Sequence, residues 1–189
     1  MMRKHLYEIF AAKWLYGGSV WFYSDPHFAD SEMVDIRKNY ISDEEQVKRI
    51  NSKLGKNDTL IILGDVGDVQ FVSKLRGYKV LIMGNHDKGA SNYEDYFDEV
   101  YEGCLMISNK IILSHEPIAN LPPFMFNIHG HDHSNWFTGS RHLNCCAEHI
   151  NYTPISLKEI ADSGVLKDVE SIHRITIDHA IERKAKREK

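Results

Sequence analysis

Five short apolar runs punctuate the chain, at residues 20–23, 60–63, 80–83, 111–113 and, more weakly, 124–128. Their apolarity is continuous rather than alternating, which predicts strands buried on both faces in a layered α/β domain. Ser42 followed three residues later by Glu45 has the form of a capping box. Val47, Ile50 and Leu54 then fall on one face, predicting a helix that Gly55 and Asn57 end. A shorter helix is expected over 69–76, completing a strand-helix-strand unit with the runs on either side. Ser156 and Glu159 form a second capping box ahead of Ile160, and Leu121-Pro122-Pro123 marks a loop. Around Ile175 and Ile177 the pattern suits a strand or a helix equally. The mostly basic tail 183–189 reads as a solvated helix end.

The polar residues that close each run carry the chemistry. Run 20–23 leads into Ser24-Asp25-Pro26-His27, run 60–63 into Gly64-Asp65-Val66-Gly67-Asp68, and run 80–83 into Gly84-Asn85-His86-Asp87. Run 111–113 leads into Ser114-His115-Glu116, and run 124–128 into His129-Gly130-His131-Asp132-His133. Ligands in open α/β sheets bind at the carboxyl ends of the strands, so these side chains are expected to converge. A mixed set of carboxylate, amide and imidazole donors suits a divalent transition ion. The donors are too many for one tetrahedral centre, so two metals sharing one carboxylate is the economical arrangement. Gly64, Gly84 and Gly130 permit the tight turns and close backbone approach such a centre needs.

Composition narrows the setting. With 189 residues, 42% hydrophobic and 26% charged, the chain suits one folded domain and excludes a disordered or disulfide-scaffold protein. A motif-bearing core over 19–160 with a C-terminal extension over 161–189 is expected. The net charge of −4 and pI near 6.2 give no basic footprint for nucleic acid. Three cysteines, Cys104, Cys145 and Cys146, an odd number with two adjacent, point to reduced thiols and a cytoplasmic protein. No apolar run is long enough to cross a membrane. Of eleven histidines, His115, His129, His131, His133, His142 and His149 share one stretch, an excess that a histidine-built centre explains.

Taken in order, Asp25-x-His27, Gly64-Asp65-x-x-Asp68, Gly84-Asn85-His86-Asp87, His115 and Gly130-His131-x-His133 resemble the five blocks of the calcineurin-like metallophosphoesterase superfamily. The stretches 22–28 and 153–160 look further like its small prokaryotic and phage members. The resemblance spans about residues 19–160. It implies an α/β fold of four layers, an α/β/β/α sandwich of two mixed sheets with helices on both outer sides. It also implies that Asp25, His27 and His133 hold one metal, that Asn85, His115 and His131 hold a second, and that Asp65 bridges them. The cofactors expected are two divalent ions, Mn²⁺ first, with Fe, Zn, Ni and Mg as alternatives.

The activity implied is hydrolysis of a phosphodiester or phosphomonoester by a metal-bridging hydroxide. His86 would assist the leaving group or stabilise the phosphoryl oxygens, and Asp68 would orient His86 by accepting its hydrogen bond. One departure bears on substrate. Phosphoprotein phosphatases of the superfamily carry an arginine after the second aspartate, where this chain has Val69. The missing bidentate clamp favours a phosphodiester or nucleotide-type substrate, unless Arg37, Lys38 or Arg141 substitutes. A catalytically silent binding or scaffold protein is the alternative, which the full set of ligand positions disfavours. Asp87 is expected to anchor a ligand or loop, and His129 to sit beside the site. Cys145 and Cys146 are expected in the core. Asn144, His142 and His149 are open between substrate-side and structural roles.

Overall fold

The computed structural model describes residues 2–187 apart from 38, 137, 138, 168, 170 and 171. In chain order the elements are α1 (Glu8–Trp14), β1 (Val20–Tyr23), α2 (Met33–Ile36), α3 (Asp43–Lys53), β2 (Thr59–Ile62) and β3 (Tyr78–Ile82). There follow β4 (Glu99–Tyr101), β5 (Leu105–Met106), β6 (Ile111–Leu113), β7 (Phe126–His129), β8 (His142–Asn144), β9 (Ile155–Ser156), α4 (Leu157–Ser163) and α5 (Ile172–Arg187). Both capping residues act as predicted. Ser42 accepts from the Glu45 amide, and Ser156 and Glu159 close a reciprocal box. The helix expected over 69–76 shrinks to a single 3₁₀ turn, Val72–Lys74. Asn51 of α3 caps this segment from outside, donating to the Lys74 carbonyl and accepting from the Arg76 amide, so no helical continuation is needed.

Two sheets form, ordered β4-β3-β2-β1-β9 and β5-β6-β7-β8. In the first, β1 to β4 run parallel and β9 antiparallel; in the second, only β5 is antiparallel. Tyr23, Ile62 and Leu81 lie in register across three strands, so the loops after β1, β2 and β3 leave the sheet side by side. The loops then continue to pair. Asp25 donates its amide to Gly64, His27 to Asp65, Gly130 to His115 and Ala147 to Ser24, which ties the carboxyl ends of both sheets together.

The core has two compartments. Val20, Phe22, Ile61, Leu63, Val80 and Ile82 face the second sheet's Ile111, Leu113, Phe126 and Ile128. Phe10 and Trp14 of α1 and Leu157 and Ile160 of α4 join this same compartment. On the opposite face, Leu60, Ile62 and Leu81 meet Val47 and Ile50 of α3.

This arrangement corrects the expected four-layer sandwich. The protein is a mixed α/β molecule of two stacked, mainly parallel sheets. Among the described residues, no apolar cluster joins a helix to the outer face of the second sheet. The cause is chemical. That face presents Asn127, His129, His142 and Asn144, with Ile112 and Met106 as its apolar positions, too little apolar surface for a helical stripe to bury. A loop covers it instead, with the Ile118 amide donating to Asn127 Oδ1 and His142 Nε2 donating to the Ile118 carbonyl. Nor is any described helix long and apolar enough to cross a membrane.

Candidate metal centre

The strand-end loops bring Asp25, His27, Asp65, Asn85, His115, His131 and His133 into one cluster. Their backbones are bent to do so. Asp25, His27, Asp65 and His131 all lie at positive φ, between 46° and 66°. Non-glycine residues hold this left-handed region only where surrounding contacts impose it, and such strain concentrates at functional sites. The close approach also needs glycine. A Cβ on Gly130 would stand 2.2 Å from Asp25 Oδ2, and one on Gly84 2.2 Å from Asp65 Oδ1.

Hydrogen bonds decide which atom of each side chain faces inward. His27 Nδ1 lies 3.0 Å from the Asp30 carboxylate, His133 Nδ1 2.6 Å from Glu148, and His115 Nδ1 2.8 Å from the Leu63 carbonyl. These partners only accept, so each Nδ1 carries a proton and each Nε2 is the ring nitrogen left to face the centre. Asp25 Oδ2 accepts from the Ser24 hydroxyl and the His131 amide, which leaves Oδ1 buried without a hydrogen bond. Asp65 Oδ1 accepts from the His86 amide, which leaves Oδ2 inward.

The inward atoms form two adjoining groups. Asp25 Oδ1 lies 3.9 Å from His27 Nε2 and 3.5 Å from His133 Nε2. His115 Nε2 lies 2.8 Å from Asn85 Oδ1, 3.1 Å from His131 Nδ1 and 3.3 Å from Asp65 Oδ2. Asp65 Oδ2 belongs to both, since His27 Nε2 is 3.5 Å from it. Acceptors converging on acceptors repel one another unless a proton or a cation lies between them. Buried His27 Nε2, like Asp25 Oδ1, has no hydrogen-bond partner among the described residues.

Titration behaviour points the same way. Burial works against a charged His115, yet the Asp65 and Asp25 carboxylates push it up to about 9. His133 is likewise raised, with burial outweighed by Glu148 and Asp25. Asp65 moves the other way: burial opposes its charge, but His115 and His27 hold it well below the usual carboxylate range. The cluster recruits protons where its geometry asks for cations.

Supporting residues fix the loops. Asp87 accepts from the amides of Asp65, Val66 and Gly84 at 2.8–3.0 Å and from the Tyr93 hydroxyl at 3.0 Å, clasping the β2 and β3 loops together. Asn144 Nδ2 and His149 Nε2 both donate to the Asp132 carbonyl, steadying the turn that bears His131 and His133. His129 is buried beside the site, its Nδ1 on the Gly130 carbonyl and its ring edge-on to His142. Cys145 and Cys146 are buried free thiols, Cys146 lying 3.3 Å from Asp25 Oδ2.

The expected hydrogen bond between Asp68 and His86 does not form. Both residues are exposed and line one open cleft of about 690 Å³ with His27, Lys88, Tyr93 and Tyr96. Asp68 accepts from the Gln70 amide instead, because the chain turns back at that residue. The His86 ring stands edge-on to His27, with centroids 5.5 Å apart. Of the candidate phosphate clamps, Arg37 is buried against backbone carbonyls and Glu148, Arg141 holds the carbonyls of Leu121 and Pro122, and Lys38 lies outside the described residues.

Sequence reasoning missed Asp30 and Glu148, the carboxylates behind His27 and His133. Asp30, three residues beyond His27, had a local signal; Glu148 had none. With Cys146, Glu148 and His133 compose a third His/Cys/Asp/Glu group. Arg37 Nε lies 3.3 Å from Glu148 Oε2 and opposes a cation there.

No family model matches the chain. A stretch of 83 residues is 35% identical to the Gene 66 protein of Mycobacterium phage L5, covering 36% of this chain and 40% of that protein. The match therefore spans less than half the length of this relative. Among solved structures, the chain is similar to the protein of unknown function AQ665 from Aquifex aeolicus. The TM-score is 0.63 at 25% identity, over 77% of this chain and 98% of that one. Neither name specifies an activity.

Proposed function

We propose that the protein is a metal-dependent phosphoesterase with two adjoining cation positions, one of Asp25, His27 and His133 and one of Asn85, His115 and His131, joined by Asp65. The observation that carries this reading is Asp65 Oδ2, flanked by the inward-facing Nε2 atoms of His27 and His115 at 3.5 and 3.3 Å. The mixed nitrogen and oxygen donors suit Mn²⁺, with Fe, Zn, Ni and Mg as alternatives. When bound, two such cations supply Lewis acidity that activates water and stabilises the oxygens of a phosphoryl group in displacement.

The chain's own residues do the rest. Asp30, Glu148 and the Leu63 carbonyl lock the tautomers of His27, His133 and His115, and Asp87 fixes the backbone that carries Asp65. His86 stands at the mouth of the cleft with no side-chain hydrogen bond among the described residues, free to give a proton to a leaving oxygen. Five carboxylates, Asp25, Asp30, Asp65, Asp87 and Glu148, against the Arg37 guanidinium and two divalent cations leave about no net charge. The lack of excess positive charge, with Val69 where a clamp would stand, suits a phosphodiester better than a dianionic monoester.

Mn²⁺-loaded protein is expected to hydrolyse bis-p-nitrophenyl phosphate faster than p-nitrophenyl phosphate. His86→Ala should keep the bound metal and lose roughly 10²–10⁴-fold in turnover, the usual contribution of a general acid. Asp65→Ala should lose metal and turnover together. Metal binding without hydrolysis of either ester would overturn the enzyme reading and leave a binding protein.

A further inference from the structure

The two cation positions are held from behind in different ways. At the second, His115 leans on a backbone carbonyl, while Asn85 and His131 are exposed. At the first, the support is a buried ion pair. Glu148 Oε1 accepts from His133 Nδ1 at 2.6 Å, while its Oε2 pairs with Arg37 Nε by charge at 3.3 Å, neither of these last two atoms having a hydrogen bond among the described residues; the side chains are 6% and 1% exposed. The same guanidinium donates to the carbonyls of Pro26, at 3.2 Å, and Asp25. Its face lies 6.0 Å from the Tyr152 ring.

One planar fork thus grips both halves of the first position, the β1 loop that presents Asp25 and His27 and the carboxylate that aims His133. Arg37 comes from the segment after α2 and Glu148 from the loop after β8. The buried Tyr152 of that same loop packs on Arg37, and the Ala147 amide and Cys146 thiol of the loop reach Ser24 and Asp25. A guanidinium can hold two carbonyls and a carboxylate at once, whereas an ammonium on a flexible stem cannot keep that geometry.

We propose that the buried Arg37 and Glu148 pair sets the cation affinity of the Asp25, His27 and His133 position, and of that position alone, by positioning its ligands. The inference rests on the two-cation reading above. Arg37 and Glu148 are positioning residues here: Glu148 acts through His133, and its Oε2 faces the Arg37 guanidinium.

The test is calorimetric titration of chelator-treated full-length protein with Mn²⁺, for wild type, Glu148→Gln, Arg37→Lys and the double variant. Electron paramagnetic resonance on the same samples distinguishes paired from isolated Mn²⁺. Wild type should bind two ions. Each single variant should lose about 10–100-fold at one position, the usual cost of removing a ligand's supporting partner, and change less than about threefold at the other. The paired signal should give way to an isolated one. The double variant should be no worse than the poorer single variant, since both act through one contact.

Equal weakening at both positions, or none at either, would overturn the proposal while leaving the two-cation reading intact. Wild type that binds no Mn²⁺ would overturn both. A purely structural pair would lower the melting temperature of the metal-free variants but leave the Mn²⁺-induced rise unchanged, and that result also refutes the proposal. Should Arg37→Lys fail to fold, the near-isosteric Glu148→Gln decides alone.

Discussion

Replacing Asp87 by asparagine removes the clasp between the β2 and β3 loops with almost no change of volume. In the wild type each carboxylate oxygen serves two donors: Oδ2 takes the Asp65 and Gly84 amides, and Oδ1 the Val66 amide and the Tyr93 hydroxyl. An amide side chain keeps one oxygen and turns an NH₂ toward the other pair, so two charge-assisted hydrogen bonds are lost. At about 1.5–3 kcal/mol each the upper bound is roughly 6, and loop relaxation brings the expected cost toward about 3 kcal/mol. For a chain of this length, that is a fall of roughly 6–12 °C in melting temperature. Tyr93→Phe removes one donor to Asp87 and the acceptor of the Lys88 amide, and should cost about 2 kcal/mol. Burial, then the Asp87 charge, pushes that hydroxyl up to about 12 despite the Lys88 amide, so it stays a donor throughout the assay range. Urea unfolding of metal-free protein followed by circular dichroism measures both. Asp87→Asn within about 0.5 kcal/mol of wild type, the scatter of ordinary surface changes, would show that Asp87 does not hold the loops.

Two further predictions address turn geometry and acid stability. Gly130→Ala places a Cβ 1.8 Å from Ser24 Oγ, whereas a Cβ on Gly89 meets nothing within 4 Å. Gly130→Ala should therefore lose about 1–3 kcal/mol and much of its Mn²⁺ affinity. Titration and unfolding indistinguishable from Gly89→Ala would contradict this. At Glu99, burial opposes the charge, but hydrogen bonds from Tyr101, Trp14 and Tyr78 hold the carboxyl below its ordinary value near 4.5. A lowered folded value means stability that is present above pH 4.5 and lost as pH falls through the folded value. Glu99→Gln should flatten that acid loss, and parallel stability curves for the two proteins would refute the assignment.

The sequence was most legible where one local rule decides the outcome. The run at 20–23 is β1 residue for residue, and Ser42 and Ser156 cap as their spacing requires. The candidate centre was legible for a related reason. Parallel strands in register present their C-terminal neighbours at one edge, so donors after successive apolar runs must converge. Edge strands of two or three residues, such as β5 and β9, carry no readable period. The polar outer face of the second sheet depends on Asn127 and His142 meeting a loop, a tertiary fact that no helical pattern announces. Glu148 was invisible because its role comes from reaching His133 and Arg37 across the fold. Asp68 accepts from the Gln70 amide rather than from His86, because its backbone turn, not its spacing from His86, chooses its partner.

Anomalous X-ray scattering from crystals grown with Mn²⁺ tests the central claim most directly. Two peaks are expected about 3.5–4 Å apart, the separation of paired catalytic ions, one on either side of Asp65 Oδ2. A single peak, none, or one beside Cys146 and Glu148 would contradict it.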